Sequence, residues 1–487
     1  MQLRPAGVHE DCQTDRQMAE HKDLKAEDRA VVDDMVGRAR LAMDAIREFD
    51  QRRVDRLCQA LGWATANETT FTRLAQMGVD ESGLGDRAGR PGKRFKIMGV
   101  LRDALRLPSI GVIEEIPEKG IVKYAKPAGV IASLVPTTNP ALTPPFTGIY
   151  ALKCLDAVIF SPHPRSKNTT LATVEVMRKT MVREGVPADV FQCVRTPNVP
   201  MTQYLMSQCD LTFATGGQPM VRAAYSSGKP AYGVGAGNST MVIDETAEPE
   251  IAARNTRLSK TSDFGSGCSA DGNLLIDDRI YDRMLAALQE EGGYLVNKSE
   301  AHAIERVIWD VHGHRLPDSV ACTPQRIGEL AGLKIPDDRT FVIVENDRIG
   351  PEHNYSKEKL TTLLAVYRYH GFEQALQMVR QIYEVGGKGH SCGIYSHNDD
   401  HIDQLARVAP VSRMMVRQPQ SKANAGAFNN GMPMTSSLGC GIWGGNITNE
   451  NVHLKHFMNV TWVSRPIAED RPSEQELFGD FYGTETD

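Results

Sequence analysis

Short apolar runs of strand length alternate with helix-length amphipathic stretches along most of the chain, and no other feature limits the possible folds so sharply. Residues 129–135, 157–160, 190–194 and 211–214 are compact and apolar, while 142–152, 169–184 and 202–207 carry apolar residues at helical spacing. Strands separated by helices in this way predict βαβ units and a parallel sheet, with a ligand at the carboxyl ends of its strands. The pattern resumes after residue 270. There 273–276, 340–344, 363–367 and 391–395 read as strands, and 281–291, 326–330 and 372–384 as helices. An α/β fold built from two such units follows, the second of ordinary domain size.

Other segments lie around this frame. Residues 1–27 hold few apolar side chains and read as a polar extension. Val31, Val32, Met35, Val36, Ala39 and their successors to residue 67 recur at spacings of three and four, which predicts two packing helices. Residues 110–116 and 120–125 flank turn signals, giving a hairpin over about 110–126 that suits either oligomerisation or a plain sheet edge. A late strand is expected over 456–463.

Composition narrows the function by exclusion. A net charge of −6, with no basic domain, argues against nucleic-acid binding. No run of about 18 apolar residues occurs, so neither a membrane span nor a membrane partner is expected. The nine cysteines are scattered without a C-x-x-C pair, which predicts a reducing, cytoplasmic setting and no metal site.

Cys268 stands out among them. It lies in Gly265-Ser266-Gly267-Cys268-Ser269, where small neighbours leave a substrate carbon room to approach. A thiol attacks as its thiolate and needs a polar setting, which Lys260 and the backbone amides of the turn could supply. By itself the turn leaves nucleophile and inert buried cysteine evenly balanced. Thr215-Gly216-Gly217, between a strand and a helix near Met220, would let backbone amides approach a pyrophosphate, although a plain tight turn explains it as well.

The order of these segments resembles the aldehyde dehydrogenase family, and within it the CoA-acylating branch typified by sulfoacetaldehyde and succinate-semialdehyde dehydrogenases. The resemblance runs from about residue 27 to 467. It is carried by Val135-Pro-Thr-Thr-Asn-Pro140, Ser161-Pro-His-Pro-Arg165, Ala214-Thr-Gly-Gly217, Gly233-Val-Gly-Ala-Gly-Asn238, Cys268, Gly389-His390 and Leu438-Gly-Cys-Gly-Ile-Trp-Gly-Gly-Asn446. It implies a Rossmann-type dinucleotide-binding domain over 28–250 and a catalytic α/β domain over 251–438. Residues 439–487 would then return to the first domain and to a small β oligomerisation element, in a homodimer or homotetramer.

The resemblance also implies roles. Cys268 would be the nucleophile, and Asn139 would stabilise the oxyanion together with the Cys268 backbone N–H. Pro136, Thr137, Ser161, His163, Arg165, Thr215, Gly216, Gly217 and Gly233 would line the nucleotide, with Glu358 on the nicotinamide ribose. Arg165 beside Lys167 suits the 2′-phosphate of NADP, while relatives with a similar segment use NAD. His390 would assist coenzyme A or proton transfer, or be structural. Arg413 and Arg417 are the cations for an anionic aldehyde, unless they are surface arginines. Hydrolytic members carry a glutamate where Gly233 stands, and no acid occurs between Val221 and Asp244. That favours a thioester passed to coenzyme A over a free acid. Phe264 and Asp271 depart from the relatives, which show Asn after the Asp and a Ser-Glu pair after the cysteine. A hydrolytic dehydrogenase, or an inactive assembly subunit of the same fold, are the alternatives.

Overall fold

The computed structural model describes residues 24–484; the expected polar extension lies outside them up to residue 23. The helix Ala26–Ile46 buries Val32, Met35, Ala39, Ala42 and Ile46, a stripe at alternating spacings of three and four. Asp50 caps the next helix, Gln51–Ala66, by accepting the Arg53 amide at 2.8 Å. Two more helices, Glu68–Ser82 and Arg94–Leu105, follow where the sequence pattern predicts none. Threonine, glycine and charged residues interrupt their apolar stripes, so tertiary packing supplies what periodicity does not show.

The expected hairpin is present as β1 (Val112–Ile116) and β2 (Ile121–Pro127). β3 (Val130–Val135), β4 (Ala157–Pro162), β5 (Phe191–Cys193), β6 (Leu211–Thr215) and β7 (Ala231–Val234) then form a parallel sheet in the order β5-β4-β3-β6-β7. β3 and β4 are buried throughout, which is why each reads as an unbroken apolar run. The chain winds outward from β3 to β5 and then reverses to β6. The crevice at the carboxyl ends of β3 and β6 is therefore a topological switch point, where such sheets bind ligands.

β8 (Thr240–Ile243), β9 (Asn273–Asp277), β10 (Gly293–Leu295), β11 (Phe341–Glu345), β12 (Leu363–Tyr369), β13 (Cys392–Tyr395) and β14 (Met414–Val416) form a second parallel sheet, ordered β10-β11-β12-β9-β8-β13-β14. β8 belongs to this sheet, so the chain crosses between sheets at 235–239, ahead of residue 250. The crossing is short. It leads from the carboxyl edge of the five-stranded sheet to the amino edge of the seven-stranded one.

β15 (Met458–Ser464) comes back from the chain's end to pair antiparallel with β2, Trp462 opposite Lys123. Aromatic packing fixes this return. Phe457 stacks on Phe213 at 4.3 Å between centroids and meets Tyr150 at 5.5 Å and Phe146 at 6.4 Å. Phe457 is fully buried, so Phe457→Ala is expected to cost about 3–5 kcal/mol and lower the melting temperature measurably. A loss below about 1 kcal/mol in denaturant titration would show that the segment is not part of this core.

Candidate active site

Three strand starts bring the polar groups together. Ser239 stands just before β8, Cys268 shortly before β9 and His390 just before β13, and β8 pairs with both of its neighbours. The site therefore lies at the amino edge of the seven-stranded sheet, facing the switch-point crevice of the other.

The loop that carries Cys268 turns on three successive residues with positive φ: Asp263 (51°), Phe264 (52°) and Gly265 (68°). Glycine adopts this conformation freely and aspartate tolerates it, whereas a bulky Phe is strained there. Gly265 admits no side chain, because a Cβ would collide with the Thr361 carbonyl oxygen. The Asp263 carboxylate holds the turn in place. Arg90 donates to it from Nε at 3.0 Å and Nη2 at 2.9 Å, Lys93 Nζ at 2.7 Å, the Asp86 amide at 2.8 Å and Ser266 Oγ at 2.9 Å. Burial alone would raise this carboxyl, yet Lys93 and Arg90 hold it down at about 2.

Cys268 Sγ lies 3.0 Å from His390 Nε2. On the other side of the ring, Nδ1 is 2.9 Å from Ser391 Oγ, which is 3.0 Å from Ser239 Oγ. Arg413 Nη1 donates to the His390 carbonyl at 2.7 Å and fixes the backbone behind the ring. Burial, followed by repulsion from Arg413, pushes the imidazole down to about 3. Burial, with Glu358 and Cys440 adding to it, pushes the Cys268 thiol up to about 12. The resting pair is thus a neutral thiol beside a neutral imidazole. With the ring proton on Nδ1 toward Ser391, the Nε2 lone pair is left to accept the thiol proton. Because the thiol is raised, alkylation of Cys268 by iodoacetamide should speed up about tenfold per pH unit between pH 6 and 9. A rate plateau near pH 6 would instead reveal a preformed thiolate–imidazolium pair.

The other expected residues divide by location. Asn139 lies half-buried beyond β3, with Oδ1 accepting from Lys93 Nζ at 2.8 Å. Pro136 and Thr137 sit at the carboxyl end of β3. Glu358 Oε1 accepts the Gly237 amide at 2.9 Å, and burial raises its carboxyl to about 7. Gly237 in turn packs so tightly on the Cys268 carbonyl that a Cβ there would collide with it. Lys260 is buried, and desolvation lowers its ammonium to about 7.

Thr215 Oγ1 is 3.2 Å from Ser437 Oγ, and Gly216 and Gly217 lead into the helix Gln218–Tyr225. A Cβ on either glycine would meet nothing closer than 3.7 Å, so the backbone there stays open, and these residues fit a pyrophosphate at the switch point. His163 and Arg165 are exposed, with Arg165 Nη2 donating to the Ser82 carbonyl at 2.8 Å. Ser161 is buried and its hydroxyl is engaged with Thr202 at 3.0 Å, so it faces inward rather than toward a ligand. Gly233 lies within β7, where a Cβ would meet Val221 at 2.6 Å and the Tyr225 ring at 3.0 Å.

The two arginines separate. Arg413 is buried at the amino edge, where its guanidinium donates to the His390 and Gly439 carbonyls. Arg417 donates to the Ser396 carbonyl, beyond the carboxyl end of β13. Four residues of strand, about 13 Å, put Arg417 at the wrong edge of the sheet to reach Cys268. Sequence reasoning missed the cations that do gather at the cysteine loop: Arg90, Lys93, Lys96 and Lys422. Lys422 Nζ donates to Ser262 Oγ at 2.9 Å, and burial with repulsion from Lys422 and Lys93 lowers Lys96 to about 8. Lys93 and Asp263 are 170 residues apart, and no periodicity marks such a pair.

A family model described as aldehyde dehydrogenase family matches residues 11–300. A sulfoacetaldehyde dehydrogenase from Acholeplasma sp is 41% identical over 92% of this chain and 93% of its own length. An acylating sulfoacetaldehyde dehydrogenase from Bilophila wadsworthia is 36% identical over 91% of this chain and 97% of its own. Among solved structures, an acetylating aldehyde dehydrogenase from Geobacillus thermoglucosidasius superposes with a TM-score of 0.88 at 32% identity, covering 92% of this chain and 100% of that one.

Proposed function

The chain belongs to the aldehyde dehydrogenase family, and on that premise we propose that it converts a small anionic aldehyde, sulfoacetaldehyde foremost, to its acyl-CoA thioester with reduction of a nicotinamide nucleotide. The 3.0 Å contact between Cys268 Sγ and His390 Nε2 carries this reading. His390 takes the thiol proton as sulfur attacks the aldehyde carbon; the C–S bond forms and the carbonyl electron pair moves to oxygen. Asn139 Nδ2 and the Cys268 backbone N–H are the donors for that oxyanion. Burial disfavours imidazolium, so the proton leaves His390 for solvent before the coenzyme A thiol arrives, and the imidazole is neutral again. A nicotinamide nucleotide, when bound, supplies the hydride acceptor that turns the thiohemiacetal into an acyl thioester on Cys268. His390 is then in place to take the proton of the incoming coenzyme A thiol.

Water is a poor competitor for this thioester. Residues 222–243 carry no acid, and the packing of Val221 and Tyr225 against Gly233 leaves no room for one at that position. Arg165 and Lys167, with no acid between Ser161 and Asn168, suit a 2′-phosphate, so NADP stands beside NAD as acceptor. Lys96 and Lys422 support an anionic aldehyde, since an anion among these ammonium groups relieves their mutual repulsion. Succinate semialdehyde is the second candidate on the same charge argument. The sheet of β1, β2 and β15, with Tyr124, Val460 and Trp462 exposed, is the face for a homodimer or homotetramer, in a cytoplasmic enzyme.

A spectrophotometric panel of sulfoacetaldehyde, succinate semialdehyde, acetaldehyde and propanal tests the reading, with both nicotinamides and with or without coenzyme A. Sustained NAD(P)H formation is expected only when aldehyde and coenzyme A are both present, and Cys268→Ala should abolish it. Steady turnover to free acid without coenzyme A would make the enzyme hydrolytic, and an inert wild type would leave an assembly subunit. Lys422→Met should raise KM for sulfoacetaldehyde about threefold, the worth of about 0.7 kcal/mol of exposed ion pairing, and leave KM for propanal unchanged. An equal rise for both aldehydes would remove Lys422 from substrate recognition.

A further inference from the structure

We propose that Lys93 is the positioning residue that orients the Asn139 amide toward the reacting oxygen, an inference that rests on Asn139 being the oxyanion donor. Lys93 Nζ lies 2.8 Å from Asn139 Oδ1 and 2.7 Å from Asp263 Oδ2. An ammonium has only hydrogens to offer, so the amide atom facing it is the oxygen. Turning the amide over would set N–H against N–H. Lys93 thereby settles an orientation that the terminal torsion of asparagine, broad and two-fold, does not settle by itself.

The rest of the loop fixes only the backbone of Asn139. Its amide donates to the Pro136 carbonyl at 3.3 Å, and its carbonyl accepts from Thr143 at 3.0 Å at the start of the helix Thr143–Lys153. The hydrogen bond of Nδ2 to Thr138 Oγ1 is long, at 3.5 Å, and holds the group weakly. The amide hydrogens are therefore available for a stronger acceptor, and a developing alkoxide is one.

Lys93 is itself anchored. It closes the short turn Arg90–Lys93 that leads into the helix Arg94–Leu105, and Arg90 of the same turn forks onto the same Asp263 carboxylate. Asp263 in turn belongs to the loop of Cys268. The nucleophile and the oxyanion donor come from different parts of the chain, and the Lys93 ammonium spans the gap between them in a single step. The bridge ties the loop of Asn139 to the loop of Cys268 through Asp263.

The test is a double-mutant cycle read on the NAD(P)H burst formed without coenzyme A, which isolates acylation of Cys268. Asn139→Ala should slow the burst about 10²–10³-fold, the usual loss of an oxyanion donor. Lys93→Met should slow it about 10²-fold, the usual effect of a misplaced catalytic group. The double variant should be no slower than Asn139→Ala, and Lys93→Arg should recover most of the rate. Alkylation of Cys268 by iodoacetamide forms no oxyanion, so Lys93→Met should leave it unchanged. Multiplied losses in the double variant, or an unchanged burst in Lys93→Met, would overturn the role of Lys93. Alkylation slowed in step with the burst would overturn it too, since the lysine would then merely hold the cysteine loop. A wild-type burst in Asn139→Ala would instead overturn the oxyanion reading on which the proposal stands.

Discussion

A single buried carboxylate ties the reactive parts of this protein together. Asp263 receives two donors from Arg90, one from Lys93, one from Ser266 and a backbone amide from Asp86. A buried charge with partners on every side is tolerable, and Arg90, Ser266 and the Asp86 amide hold Asp263 even without Lys93. The tightness of this clamp also explains how Phe264 persists in a conformation that bulky residues avoid. The cysteine loop is held from outside, by side chains of the N-terminal helical layer, rather than by its own backbone preference.

The second constraint is the closeness of the two sheets. The chain leaves β7 and enters β8 within five residues, and Gly237 in that crossing touches the Cys268 carbonyl while its amide binds Glu358. The switch-point crevice and the thiol are thereby brought against each other across one strip of backbone. Burial lowers the His390 imidazole and raises the Cys268 thiol, while part of the Cys268 surface stays exposed.

Much of the frame was legible because strands buried on both faces leave unbroken apolar runs, as in β3 and β4. Cys268 was marked by its small neighbours and His390 only by its segment, while their contact, across 122 residues, leaves no trace in spacing. Arg413 and Arg417 look equivalent in the sequence. A three-residue strand between them sends one to each edge of the sheet, and only the register shows it. β7 was hidden for a different reason: glycines open enough for a turn are also small enough for a strand packed under Tyr225. The Asp263 clamp was illegible because its members are scattered charged residues, which a sequence offers everywhere.

The raised thiol has a consequence for how the protein endures between turnovers. Peroxide and other oxidants react with thiolate, and a thiol near 12 presents almost none of it at neutral pH. In the chemistry proposed above, the Cys268 sulfur therefore stays in a chemically quiet form until a carbonyl is at hand and His390 accepts its proton. On that reading, resistance of the sulfur to oxidants and its readiness for a carbonyl carbon come from the same protonated thiol.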